Sequence, residues 1–316
     1  MASIGEIRDE GGIFMSHTNG PIRAIIYALG ANGGIALAKG AAAWYTHSGA
    51  MLAEAIHSFV DCTNQLLLLV GIKRAKRPVS EDHPLGHGKA IYFWSFIVAV
   101  MLFSMGGIFS IYEGVHKLMR PAMPESPWVA VGVLLISFVL ELGSLRGALT
   151  EVRKIQGGRS ILKWFRASRQ SELIVVVGED IAALAGLSLA LVAVLATIIT
   201  GSPLFDALGT VAIGVVLVLV AITVGIEVKS LLIGESADPD TVSGLRDFIS
   251  GRPEIAQTYN LITLQLGIDL MVSAKVRMKE TSSVPQMIAD INQVEAALKA
   301  SFPEVRWTFI EPDLHD

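Results

Sequence analysis

Between Met51 and Gln65 the sequence reads MLAEAIHSFVDCTNQ, and four of its polar residues, Glu54, His57, Asp61 and Asn64, are spaced three, four and three apart. At 3.6 residues per turn this spacing puts them on one helical face, and the other faces are apolar. His57 and Asp61, one turn apart, can bind a single metal ion together. One offers an imidazole nitrogen and the other a carboxylate oxygen, a donor pair that suits zinc. The competing reading is a polar stripe that only joins helices. A second cluster lies in VVVGEDIAALAG, where Glu179 and Asp180 are adjacent. Two neighbouring acids in an apolar segment repel each other without a cation or a shared proton. Adjacent positions on a helix point about 100° apart, so both need not be ligands. Glu141 and Asn32 are further polar residues inside apolar runs, each a candidate ligand, proton carrier or packing contact, and Arg146 lies near Glu141. A third cluster is SEDHPLGHGK, where His83 and His87 are four apart and Asp82 precedes them. These three could hold a second ion, although a loop His pair is more often a surface feature.

The elements that must position these groups are membrane helices. Of the 316 residues 52% are hydrophobic and 17% charged, and the mean hydropathy is +0.55. A soluble domain of this length needs a more charged surface. The apolar residues come in blocks of about 20, the length that crosses a bilayer. Six spans are predicted, near Ile22–Tyr45, Gly49–Ile72, Ile91–Val115, Pro127–Leu149, Glu172–Ile199 and Leu204–Leu232. The loop after the second span carries Lys73, Arg74, Lys76, Arg77 and Lys89. The loop after the fourth carries Arg153, Lys154, Arg159, Lys163, Arg166 and Arg169. The opposite loops hold only Lys117 and Arg120. Basic loops stay in the cytoplasm, so with six spans both termini are expected there. Residues 1–20 hold Glu6, Asp9 and Glu10 and no apolar core, so they read as a tail without a cleavable signal, with Met15 a second candidate start.

The transmembrane domain is expected over residues 21–234 and a soluble domain over 235–316. After Ser236 the pattern changes to a cap at Asp238-Pro239-Asp240, a helix to about Ser250, two alternating stretches near Ile255–Leu266 and Asp269–Lys279 turning at Gly267, a helix over about Val284–Ser301, and a strand over about Glu304–Glu311. Helix–strand–strand–helix–strand predicts a small α+β domain of ferredoxin-like type, αββαβ.

Together, MLAEAIHSFVD, HPLGHGK, the six spans and the αββαβ domain resemble the cation diffusion facilitator family of metal transporters, from about residue 21 to the end. Gly178-Glu179-Asp180 and the Glu141 segment are similar to its zinc transporter 9 branch, whose animal members are mitochondrial. The resemblance implies a transported ion held by two ligands on the second span and two on the fifth. The fifth normally carries His-x-x-x-Asp. Asp180 matches the acid, Val176 stands where the His belongs, and Glu179 is the candidate substitute. The departure bears on metal identity, since that His goes with zinc over manganese. The resemblance also implies a homodimer through the soluble domain and a loop metal site at His83 and His87. It implies no metal pair in that domain, where Tyr259, Ala274 and Glu311 take the usual His places and Asp313 alone matches an acid.

The expected function is a secondary transporter, not an enzyme. It would move a divalent cation, zinc first and otherwise manganese, iron or cobalt, out of the cytoplasm in exchange for protons. A passive metal channel is the alternative. An intramembrane metalloprotease would show His-Glu-x-x-His, and the sequence has none; nor does it have a P-loop, and no organic cofactor is expected. The net charge of −4 argues against nucleic acid, and the single Cys62 excludes an intrachain disulfide framework and a Cys-rich zinc site. The expected setting is lipid, as an integral protein of a bacterial inner (plasma) membrane.

Overall fold

The computed structural model describes residues 11–46, 49–123, 126–280 and 282–315, without the side chains of residues 11–19, 46, 49–54, 56, 57 and 60. Its long helices are α1 (Gly11–Thr46), α2 (Gly49–Ala75), α3 (Ala90–Met101) continued by a π segment (Leu102–Ile108) into α4 (Phe109–Met119), α5 (Pro127–Ile155), α7 (Ser171–Thr200) and α8 (Leu204–Ile233). A short α6 (Ile161–Ala167) precedes α7. Five stretches, Gly20–Tyr45, Ala90–Met119, Pro127–Ile155, Ser171–Thr200 and Leu204–Ile233, are long and apolar enough to cross a membrane. They have 26 to 30 residues, against the roughly 20 that span the hydrocarbon core. The sixth predicted span is α2, of 27 residues, whose first half falls largely outside the described side chains. Val139, Val192, Leu219 and Ile226 are exposed on these helices, an arrangement suited to lipid rather than water.

The helices pack closely through glycine. A Cβ at Gly107 would meet Val218 Cγ2 at 2.5 Å, and one at Gly214 would meet the backbone N of Ile111 at 2.7 Å. The π segment and α4 therefore lie almost backbone to backbone against α8. The span predicted near Ile91–Val115 carries this π segment in its interior. Gly106 and Gly107 lie within it, and extra turns of this kind occur where a helix is locally unwound for packing or function. Two differences from the predicted elements are local. Helix α1 starts at Gly11, inside the expected tail, and carries Pro21 in its interior. Proline at the first helical position is the usual start signal, but here the helix continues upstream of it. The seven-residue α6, capped by Ser160 accepting from Lys163 N, is too short to show an apolar period.

The structure divides into two compact units. The first holds the chain up to Leu69, Ile97–Arg159 and Glu172–Val224; the second holds Val70–Phe96, Ser160–Ser171 and Gly225–Asp316.

Most of the second unit is the αββαβ domain: α9 (Pro239–Ser250), β1 (Ile255–Leu266), β2 (Asp269–Met278), α10 (Val284–Ser301) and β3 (Val305–Pro312). Strand order is β1-β2-β3, antiparallel between β1 and β2 and parallel between β2 and β3. Strand β2 buries alternate residues Leu270, Val272, Ala274 and Val276, which meet Leu245, Ile249, Val294 and Leu298 of the two helices. Asp238 caps α9 by accepting from Asp240 N at 2.9 Å. The β1–β2 turn is Gly267, with φ +73°, a left-handed conformation that favours glycine.

The loop Ser80–Lys89 rests on that turn. Gly267 N donates to Tyr92 Oη at 3.1 Å, and the Gly88 backbone lies so close to Leu266 that a Cβ on Gly88 would overlap the Leu266 carbonyl oxygen. Gly88→Ala is therefore expected to lower stability by about 1–3 kcal/mol, the usual range for overpacking against a fixed neighbour. A lower melting temperature of the full chain, with faster proteolysis of residues 80–89, is the result to look for. An unchanged melting temperature would contradict the contact.

Candidate metal site

In the first unit three helices bring polar groups together. Helix α2 supplies Asp61, partly buried, and Asn64 and Gln65, both buried. Helix α7 supplies Glu179 and Asp180, and α5 supplies Glu141 and Ser144, all buried. Asn64 Nδ2 donates to Glu179 Oε1 at 3.2 Å, and Gln65 Nε2 donates to Oε2 at 2.8 Å. Ser144 Oγ donates to Asp180 Oδ2 at 3.0 Å. The Glu141 carboxyl is within hydrogen-bonding reach of Asp180, a contact that forms only when one of the two acids carries the proton. The adjacent acids of α7 thus serve different neighbours: Glu179 is clamped by amides of α2, and Asp180 turns to α5. This is the 100° divergence of consecutive helical positions made concrete.

The cluster is rich in carboxyl groups. Asp61 lies within electrostatic reach of Glu179 and Glu141. Among the described residues no Lys or Arg pairs with Glu141, Glu179 or Asp180. Arg146 is exposed, and five residues along α5 place it about 140° from Glu141, so it is not that acid's partner. Several buried oxygens have no donor: Asp180 Oδ1, Asn64 Oδ1, Gln65 Oε1 and Ser137 Oγ. Buried polar atoms are usually satisfied, and oxygens of this kind suit a cation or a proton. Among the described residues, however, no three His, Cys, Asp or Glu side chains converge on one point as a finished site.

Two predicted members, Glu54 and His57, have side chains outside the described residues. Asn32 is buried in α1. Helices α1 and α5 are packed antiparallel, with Gly34 facing Leu140 and Tyr27 facing Gly147, which sets Asn32 at about the level of Glu141. Gln65 and Ser144 were not predicted as site residues. Their signal was available: Gln65 is four residues from Asp61 and Ser144 three from Glu141, each on the same helical face.

In the second unit the His83 and His87 rings stack, with centroids 4.2 Å apart. His87 Nδ1 lies 3.2 Å from the Pro78 carbonyl oxygen, and Asp82 is exposed on the same turn. The loop places the two imidazoles together without a described third ligand.

A family profile for the cation efflux transmembrane domain matches residues 25–233. The chain belongs to the cation efflux family. A Xenopus laevis relative, "Proton-coupled zinc antiporter SLC30A9, mitochondrial", is 34% identical over 262 residues, covering 82% of this chain and 46% of the relative. The human protein of the same name is 33% identical over the same share of this chain. "Cation-efflux pump FieF" of Klebsiella pneumoniae is 27% identical over 281 residues, 89% of each chain. The chain spans about half the length of the SLC30A9 relatives it matches. These likenesses set it near the zinc transporter 9 branch of the cation efflux family. In the family pattern the α7 His belongs one turn before Asp180; here that place is Val176, fully buried.

In the αββαβ domain, where many cation efflux proteins carry a metal pair, Ala274 is buried in the core and Tyr259 Oη donates to the Leu314 carbonyl at 2.7 Å. Asp313 is held by Lys275 Nζ at 2.9 Å and by the backbone N–H groups of Leu314 and His315. Those hydrogen bonds pull its carboxyl down to about 2. Asp313 therefore acts here as an anchor for the chain end.

Proposed function

We propose that this chain is a secondary transporter that carries a divalent metal cation, zinc first, out of the cytoplasm in exchange for protons. The observation that carries the reading is the set of buried Glu141, Glu179 and Asp180 with partly buried Asp61 on three apolar helices, with no described Lys or Arg on the first three. Such a set is costly in lipid unless it binds cations. The transported ion is held by Asp61 and Asp180, with His57 one turn before Asp61. Glu179 tunes the charge, because both its oxygens already accept from Asn64 and Gln65. Ser144 aims Asp180, and Glu141 shares its proton or joins the ion. Once the ion leaves, the acids take up protons in its place, and the empty carrier returns them.

The names of the relatives support this reading: a proton-coupled zinc antiporter and a cation-efflux pump. Val176 in place of the family's His favours a second reading at the same site. An oxygen-richer ligand set admits harder ions such as manganese, and iron or cobalt besides. A bacterial inner membrane, with both termini cytoplasmic, is the proposed setting, and mitochondria are the alternative that the SLC30A9 names suggest. The test is reconstitution in proteoliposomes enclosing a pH dye, with ions offered one at a time. Zinc-driven proton flux is the expected result; metal flux without proton movement leaves a passive path.

The His83–His87 pair is proposed as a loop metal site that aids transport without being part of the path. His83→Ala with His87→Ala should lower bound metal while retaining part of the transport rate. A loss as complete as that of Asp61→Ala, in a folded protein, would place the loop on the path.

Dimerisation through the αββαβ domain is also proposed. Ile262 and Phe309 flank Ser273 across the sheet and are both exposed, an apolar row that a second copy would cover. Cross-linking in mild detergent should trap a dimer, and a strictly monomeric species would contradict it.

A further inference from the structure

We propose that the end of α2 is a binding site for the phosphate headgroup of an anionic phospholipid. Val70, Lys73 and Arg74 stand on one face of the helix at spacings of three and four. The helix ends at Ala75, and Arg77 N–H bonds back to the Arg74 carbonyl at 3.2 Å. This turn returns the Arg77 side chain to the same face. Together the four residues line a cavity of about 360 Å³.

The three cations are exposed, and among the described residues none has a carboxylate partner. The Arg74 guanidinium carbon lies 5.7 Å from the Trp94 ring centroid, within cation–π range. Trp94 is itself held by α2, since a Cβ at Gly71 would meet its Cβ at 2.9 Å. A guanidinium offers paired donors to phosphate oxygens, and Lys73 and Arg77 add further charges.

The apolar side of the cavity distinguishes a lipid from a free anion. Val70 is 38% exposed. An acyl chain descending from the headgroup would cover it, while inorganic phosphate would gain nothing from it. Basic clusters at the end of an apolar helix attract anionic lipid.

The experiment uses the purified full chain in mild detergent. Phosphatidylglycerol, phosphatidylcholine of the same chain length and inorganic phosphate are titrated separately. Melting temperature and lipid retention in native mass spectrometry are the readouts, and neither depends on transport. Phosphatidylglycerol should bind and stabilise, and phosphatidylcholine should not. In a K73Q/R74Q/R77Q variant phosphatidylglycerol should bind about a hundredfold more weakly, at roughly fivefold per charge removed. R77Q alone, should the triple variant fail to fold, should weaken binding by that single factor. R153Q/K154Q, at the end of α5, should bind as the wild type does. Equal loss in that control would reduce the effect to general basic charge and overturn the site. Equal stabilisation by inorganic phosphate, or by both lipids, would overturn it as well.

Discussion

Asp180→Ala should remove metal binding and transport together. Asp180 is 1% exposed, one oxygen accepts from Ser144 at 3.0 Å and the other has no donor. A carboxylate so aimed is ordered by its neighbours and still has a free lone pair for an ion. Losing groups that merely orient a ligand costs 10–100-fold in metal affinity, so loss of the ligand should cost at least about 100-fold. Asp61→Ala should match it. Ser144→Ala removes one hydrogen bond to a charged group, worth about 1.5–3 kcal/mol, and should weaken binding roughly 10- to 100-fold while leaving transport measurable. Glu179→Gln should be milder than Asp180→Ala, since the glutamine can still accept from one of the two amides. Calorimetry and metal uptake on folded variants settle the order. Near-normal uptake by Asp180→Ala would remove the acid from the path.

Metal affinity should fall steeply as pH falls. The ligands bind metal in their deprotonated forms, so every bound proton must leave before the ion can enter. The sign is fixed by that competition: acid favours the proton-loaded empty carrier, and alkaline conditions favour the metal-loaded one. Where one proton is displaced per ion, the dissociation constant rises about tenfold per unit fall in pH; with two it rises about a hundredfold. His57, with a reference pKa of about 6.5, extends the effect into the neutral range. Binding isotherms between about pH 6 and 8 are the measurement, alongside counterflow with a pH dye inside the vesicles. Flat affinity with no proton movement would refute exchange.

Most of the secondary structure is legible from local pattern. The apolar runs from Gly49, Pro127 and Leu204 begin where helices α2, α5 and α8 begin, because a bilayer-length apolar segment has few alternatives to helix. In the soluble domain the Asp238 cap, the alternating strands and the Gly267 turn sit where expected, within a residue or so, because each is set by neighbours close in sequence. The stripe through Asp61 and Asn64 is legible for the same reason: helical period tells which residues share a face.

What shares a face does not say what that face meets. That Glu179 would be bound by Asn64 and Gln65 while Asp180 turned to Ser144 and Glu141 depends on how α5 and α7 are rotated against α2. That rotation is set by packing at distant points, such as Gly178 against Val224 of α8, where a Cβ would approach to 2.6 Å. The π segment has the same origin, as does the need for glycine at Gly88, whose reason is the Leu266 carbonyl 178 residues further on. The sequence by itself determined the helices, the αββαβ order and the presence of acids in lipid, all consequences of local period and solvent preference. Tertiary structure alone decided which acid is clamped by two amides and which keeps one oxygen without a donor, because helix rotation and register arise from side-chain contacts between segments that the local pattern does not relate.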